Sequence, residues 1–260
     1  MSITDHCRLL AAFAKVHTLE LHRTRVMLWM AACAVLALGL AYFVRANALA
    51  ESERVLVAVA APLLRVLAVF MTVLVCVQSV VREMQEKTHL NVLAQPVSQS
   101  FWYTAKLTNA LISVAFIALP LGLALIVFQA EHKFSWYFSL CLELIIVSQI
   151  ATLLSISFTQ VAAAVLLSML VYVAGRITRL FVEIATRDEA TYWWEKISGW
   201  GVQAADMMLP KFDIFSKTEW LYGSDLVVPA SVLAWQGVQV VFYVALVALL
   251  GWIDLRKREW

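Results

Sequence analysis

The chain has 260 residues, of which 62% are hydrophobic and 15% charged, and its mean hydropathy is +0.80. So much apolar content with so little charge is the composition of an integral membrane protein rather than of a soluble domain. A formal charge of +2 supplies no basic surface for nucleic acid, so none is expected as a partner.

In chain order, the first element is an amphipathic helix over residues 4–24. Leu9, Leu10, Phe13, Val16 and Leu21 spread along one broad side, and Arg8, Lys15, His22, Arg23 and Arg25 supply cationic heads for a membrane surface. This partly polar stretch and the lack of a small-residue cleavage site argue against a signal peptide, so the first span is expected to be retained. A helix needs roughly 20 apolar residues to cross hydrocarbon, and runs of that kind occur near 26–44, 55–81, 107–128, 136–158, 161–182 and 231–253.

The chain therefore reads as one all-α polytopic domain with six transmembrane helices. No Pro or Gly separates the fourth run from the fifth, yet a continuous helix over 136–175 would be about 60 Å long, twice the hydrocarbon thickness. A tight turn is expected at Ser155, Ser157, Thr159 and Gln160.

Lys and Arg flank the spans at the amino-terminal segment, at Arg82, Lys87 and Lys106, and in the tail at Arg256, Lys257 and Arg258. The positive-inside rule assigns all three regions to the cytoplasm, which six spans with both termini inside would satisfy. The loops between, with Arg45 and Arg54 beside Glu51 and Glu53, or Lys133 beside Glu131, are less biased.

Two ionisable residues fall deep inside spans: Arg65, three residues after Pro62, and Glu143. Charge at such depth faces protein or water rather than lipid. Their depths match closely enough for a pair, so one reading is an ion pair that fixes helix register. A part in a conduit or gate, and snorkelling from a displaced boundary, are the others. Arg176 and Arg179, near the outer end of the fifth span, read either as snorkelling residues or as a cationic mouth for an anionic substrate.

Residues 183–230 form a long outer segment rich in aromatics, among them Tyr192, Trp193, Trp194, Trp200 and Trp220. Helices resting at the outer interface are expected, or a docking surface for a periplasmic or extracellular partner. The stretch from Leu209 to Phe215 reads as a turn back towards the bilayer. Cys7, Cys33, Cys76 and Cys141 have no metal-ligand spacing, so neither a metal site nor a disulfide framework is expected.

The segment from Arg82 to Lys106 is the most ordered polar stretch between spans. Leu90, Leu93, Ala94 and Val97 make an apolar stripe on a short helix that Pro96 closes, with Glu83, Glu86, Lys87, His89 and Asn91 on the other face. From the residues alone, an amphipathic connector and a docking helix are both open.

The spacing Glu83, Thr88, Pro96, Lys106 resembles the cytoplasmic signature of ABC type 2 transporter permeases: an acidic residue, Gly-Thr, a Leu-rich helix, Pro-x-x-Arg, and Gly-Lys opening the third span. Lys87, Gln99 and Ala105 replace that pattern's Gly, Arg and Gly. The resemblance extends to the amphipathic first helix, similar to the family's elbow helix, and to the outer helices before the last span. It implies that residues 82–100 are a coupling segment, in which Glu83, Glu86, Thr88, Leu90, Leu93, Pro96 and Lys106 engage a separate cytoplasmic ATPase. It implies further that a second permease copy or a paralogue completes the pathway, and that the location is the bacterial inner membrane.

The chain has no GxxxxGK[ST] loop, so ATP and Mg belong to the partner ATPase and this chain binds no cofactor in that way. Nor does it contain HExxH or GxSxG, and an enzyme is not expected. The expected function is the permease of an exporter. The alternative is a mechanotransmitting scaffold that acts on a periplasmic partner without moving a substrate.

Overall fold

In a computed structural model, the structure describes residues 3–48, 52–86, 99–127, 133–187, 200–201, 203–204, 206–221 and 229–257. Among them the helices are α1 (Ile3–Arg23), α2 (Val26–Ala46), α3 (Ser52–Gln85), α4 (Gln99–Ala124), α5 (Lys133–Ser157), α6 (Val161–Arg187) and α7 (Ala230–Lys257), with no strand. Six helices, α2 to α7, are long and apolar enough to cross a membrane.

The packing follows from side-chain size. On α2 the buried stripe is Met30, Ala34, Ala37 and Ala41, which recurs at three- and four-residue spacing and faces the small residues Ala60, Ala61 and Ala68 of α3. Small side chains let two backbones approach closely where lipid supplies no hydrophobic driving force. The opposite side of α2 turns Leu28, Leu36 and Phe43 outward. α5 is the central helix: 67% of its apolar window is buried, against 28% for α2, α6 and α7. Pro62 in α3 and Pro120 in α4 lie inside continuous helices, as neighbouring helices permit in membrane bundles.

The turn between the fourth and fifth spans lies where the polar residues foretell it. Helix α5 continues through Ser157, and residues 158–160 leave helical geometry before α6 starts at Val161. Ser155 is still within the helix, and its hydroxyl is satisfied by donating to the Thr152 carbonyl at 2.7 Å. α4 begins eight residues before the expected third span. Its first turns carry Phe101, Trp102 and Tyr103, all buried, so Lys106 sits within the helix rather than at its start.

Arg82 at the end of α3 lies 3.9 Å from Glu20 of α1, and Leu255 of α7 packs with Val80, Trp102, Tyr103 and Ile156. The amino-terminal helix, the ends of the 86–99 connection, the α5–α6 turn and the last turns of α7 therefore share one end of the bundle. The opposite end holds the last turns of α2, α4 and α6.

The outer segment has two parts. The described residues of 200–208 are helical, with Trp200, Met207 and Met208 exposed, whereas residues 210–221 enter the bundle through two one-turn 3-10 helices, Phe212–Ile214 and Thr218–Leu221, with Phe212, Phe215 and Ser216 fully buried. Tyr192, Trp193 and Trp194 lie outside the described residues.

Candidate functional site

The densest polar site is where the inserted segment meets α3, α5, α6 and α7. Glu143 on α5 is completely buried. One carboxylate oxygen accepts from the Tyr172 hydroxyl at 2.9 Å and from Arg176 Nη1 at 3.0 Å, and the other from the Ser216 hydroxyl at 2.5 Å. The three donors supply hydrogen-bond partners to both oxygens of a side chain that has no access to solvent.

Ser216 is the centre of the arrangement. Its φ of 42° is in the left-handed region, which a non-glycine residue occupies at some cost unless its neighbours over-determine it. Here they do. The Ser216 amide donates to Ser139 Oγ at 2.8 Å, and its carbonyl accepts from Trp136 Nε1 at 2.9 Å and Arg65 Nη1 at 3.1 Å.

The rest of the inserted backbone is held in the same manner. Arg176 Nη1 also donates to the carbonyls of Phe212 at 2.5 Å and Phe215 at 3.3 Å. Gln236 Nε2 of α7 donates to the Ile214 carbonyl at 2.7 Å, and the Tyr243 hydroxyl to the Met208 carbonyl at 3.4 Å. Irregular backbone can lie among membrane helices only when protein satisfies its amides and carbonyls, and these side chains do that work. Space is made by Gly175: a Cβ there would meet the Pro210 carbonyl oxygen at 2.5 Å and the Phe212 ring at 2.9 Å. Within this site one carboxylate faces two guanidiniums, and the carbonyls of residues 212, 215 and 216 complete the coordination of both.

A second polar site joins α3 and α4 at the opposite end. Lys106 Nζ is paired with the Glu83 carboxylate; Lys106 is 2% exposed and Glu83 31%. The ammonium also faces the Trp102 ring, 5.8 Å from its centroid. Beside it, His17 Nε2 lies 2.9 Å from Ser113 Oγ. That hydroxyl gives its own proton to the Asn109 carbonyl at 3.1 Å, so the imidazole is the donor. Glu20, on α1, has its pKa lowered from an ordinary 4.5 by its bond to His17 and then by the charges of His17, Arg82 and Lys106, against the opposing effect of burial.

The residues singled out from sequence are distributed over both sites. Arg65 and Glu143 enter one cluster, but the ion pair of Glu143 is with Arg176, while Arg65 reaches the same cluster through the Ser216 carbonyl. Arg176 is consequently turned inward. Arg179 is more exposed and pairs with Asp213 of the inserted segment at 2.9 Å. At the other site Glu83 and Lys106 meet, and Glu86 is paired with Arg82 at 2.8 Å. Thr88, Leu90, Leu93 and Pro96 lie outside the described residues.

Sequence reading did not single out Ser216, Trp136, Ser139, Tyr172 or Gln236. Trp136, Ser139 and Tyr172 are single polar-tipped residues in apolar runs, Ser216 lies in a mixed stretch between Phe215 and Lys217, and only Gln236, an amide inside a span, carried a sequence signal. Among the described residues no group of His, Cys, Asp or Glu could hold a metal ion. No protein-family model matches this chain, and no curated protein is significantly similar to it.

Proposed function

We propose that this chain is the membrane-spanning permease subunit of an ATP-binding cassette exporter of the ABC type 2 kind. A separate cytoplasmic ATPase binds ATP and Mg and docks on residues 82–100, and a second permease copy or a paralogue completes the assembly in a bacterial inner membrane. The observation that carries this reading is the strap between Glu83 and Lys106. These are the acidic and the Lys ends of the signature, and their pairing ties α3 to α4 at the base of the segment that resembles a coupling helix.

The strap has a mechanical consequence. A push on residues 87–98 moves the ends of α3 and α4 together, as a rigid-body step. α3 is continuous from Gln85 back to Ser52, so the same rod carries Arg65, whose guanidinium holds the Ser216 carbonyl. ATPase closure at one end of the bundle thereby reaches the inserted segment at the other, about 27 Å along α3 from Glu83 to Arg65.

The filled interior favours keeping the scaffold reading as a second proposal. Ser139, Glu143, Phe212 and Ser216 are all fully buried, so a substrate path would run between two copies rather than through one. The test is to purify the chain from its native membrane and identify what accompanies it. A nucleotide-binding ATPase at fixed stoichiometry supports the permease, and its absence from an otherwise intact, folded preparation contradicts it. ATP turnover stimulated by a transported molecule supports export, whereas stimulation by a periplasmic protein alone supports the scaffold.

A further inference from the structure

Where α1, α2 and α3 meet, the bundle has a cleft. Arg25 adopts a left-handed conformation with φ 56°, and the chain turns there from α1 into α2. The gap beside α3 has a volume of about 320 Å³, with Trp29, Met71, Leu74 and Val75 along its inner wall and Glu20 and Arg82 at its mouth. A wider opening of about 590 Å³ shares Glu20, Thr24 and Arg82 and adds Arg23.

We infer that this cleft is a binding site for an anionic glycerophospholipid of the leaflet on the side of the chain termini, with one acyl chain in the inner groove and the phosphodiester at Arg23 and Arg82. Three features point to that occupant. The wall from Met71 to Arg82 rises about 16 Å at 1.5 Å per residue, which is one leaflet's share of a hydrocarbon core roughly 30 Å thick. The change from apolar wall to charged mouth follows the order of tail and headgroup.

The third feature is charge. Arg82 is shared with Glu86 at 2.8 Å and Glu20 at 3.9 Å, but among the described residues Arg23 has no ion-pair partner. The residues that line the mouth are therefore two guanidiniums, Arg23 and Arg82, against the one carboxylate of Glu20. A guanidinium presents a planar fork of donors to phosphate oxygens. A zwitterionic headgroup brings its own ammonium to compete for that phosphate, so an anionic lipid is preferred.

The test uses the full chain, stripped of lipid in detergent and titrated with phosphatidylglycerol by native mass spectrometry. The wild type should bind a first phosphatidylglycerol more tightly than phosphatidylcholine. The double variant Arg23→Gln/Arg82→Gln should bind it roughly 30-fold more weakly, the loss of two interfacial cations. Leu74→Trp, which fills the groove and leaves every charge in place, should also remove the tight event. Arg8→Gln/Lys15→Gln, which removes equal charge from exposed positions outside the cleft, should leave it intact.

Equal affinity for the two lipids, an unaltered Leu74→Trp, or an equal loss in the Arg8/Lys15 control would overturn the assignment. So would displacement of the lipid by inorganic phosphate alone at the same concentration. If Arg82→Gln does not yield folded protein by circular dichroism, Arg23→Gln and Leu74→Trp decide the matter by the same criteria.

Discussion

The two buried ion pairs, at opposite ends of the bundle, are built on different principles. Around Glu143 the bonds radiate to Tyr172, Arg176 and Ser216, and the site draws in groups from four helices and an irregular segment. Between Glu83 and Lys106 an ion pair joins the end of one helix to the early part of the next. The first arrangement fixes tertiary structure, because the irregular backbone has no other way to be satisfied in that place. The second ties together the two helix ends that flank residues 87–98.

The difference predicts unequal costs. Glu143→Leu leaves Arg176 without its carboxylate, removes the acceptor of the Ser216 hydroxyl, and should destabilise the protein by about 3–5 kcal/mol. Thermal unfolding in detergent would show it as the largest loss among these variants. The change Arg65→Leu made with it should recover little, since Arg65 serves Ser216 rather than Glu143 directly. Arg176→Leu with Glu143→Leu should recover more, and the reverse order would overturn the assignment of partners.

Crowding tests the same site from another direction. Gly175→Ala pushes a methyl into the Pro210 carbonyl and the Phe212 ring, with an expected cost of about 1–3 kcal/mol. Accessibility of a cysteine placed at Asp213 should increase in that variant if the segment is displaced. No increase together with unchanged stability would show that the close approach is not maintained.

At the strap, Glu83→Gln retains a hydrogen-bond acceptor but leaves the Lys106 charge uncompensated, and should cost about 1–3 kcal/mol. That is less than Glu143→Leu because Glu83 is partly exposed. The exchange Glu83→Lys with Lys106→Glu should restore part of the loss. Equal instability of single and exchanged variants would mean that the pair contributes through shape rather than charge.

The smallest effect concerns Glu20. Its depressed pKa means that its contribution to stability is complete above the ordinary carboxyl value of 4.5 and is lost as pH falls through its lower folded value. Glu20→Gln should therefore lower stability slightly at neutral pH, where that contribution is complete, and make the acid-induced loss shallower, the two proteins converging at low pH. An identical acid profile in wild type and variant would contradict the coupling to His17 and Arg82.

The sequence already contained the six spans, because uninterrupted apolar runs encode membrane crossing by length alone. The turn after Ser157 was legible for a related reason: one helix would have been too long for the bilayer. Helix α4 begins before the third apolar run, at Gln99, and its first turns bury Phe101, Trp102 and Tyr103, because a helix can extend past the stretch that run length marks as spanning. The charged core was half legible. Depth along a span identifies Arg65 and Glu143 as costly residues, but it cannot choose between two arginines for one carboxylate. That choice depends on where residues 210–221 return, and their apolar and polar residues follow neither a helical nor a strand period. Ser216 was invisible because a single serine is remarkable only once its backbone is inside the bundle.

The central claim, that residues 82–100 dock on a cytoplasmic ATPase, is tested most directly by site-specific photo-crosslinking from positions 90 and 93 in native membranes. Charge reversal at Glu83 would confuse docking with loss of the strap, whereas a crosslinker at these apolar positions leaves both ion pairs intact. The account predicts that the crosslinked product contains a nucleotide-binding ATPase, and that Glu86→Lys weakens its formation while Glu83 and Lys106 remain unaltered. Crosslinking only to lipid or to other parts of this chain, in a preparation whose ATPase is present, would contradict it.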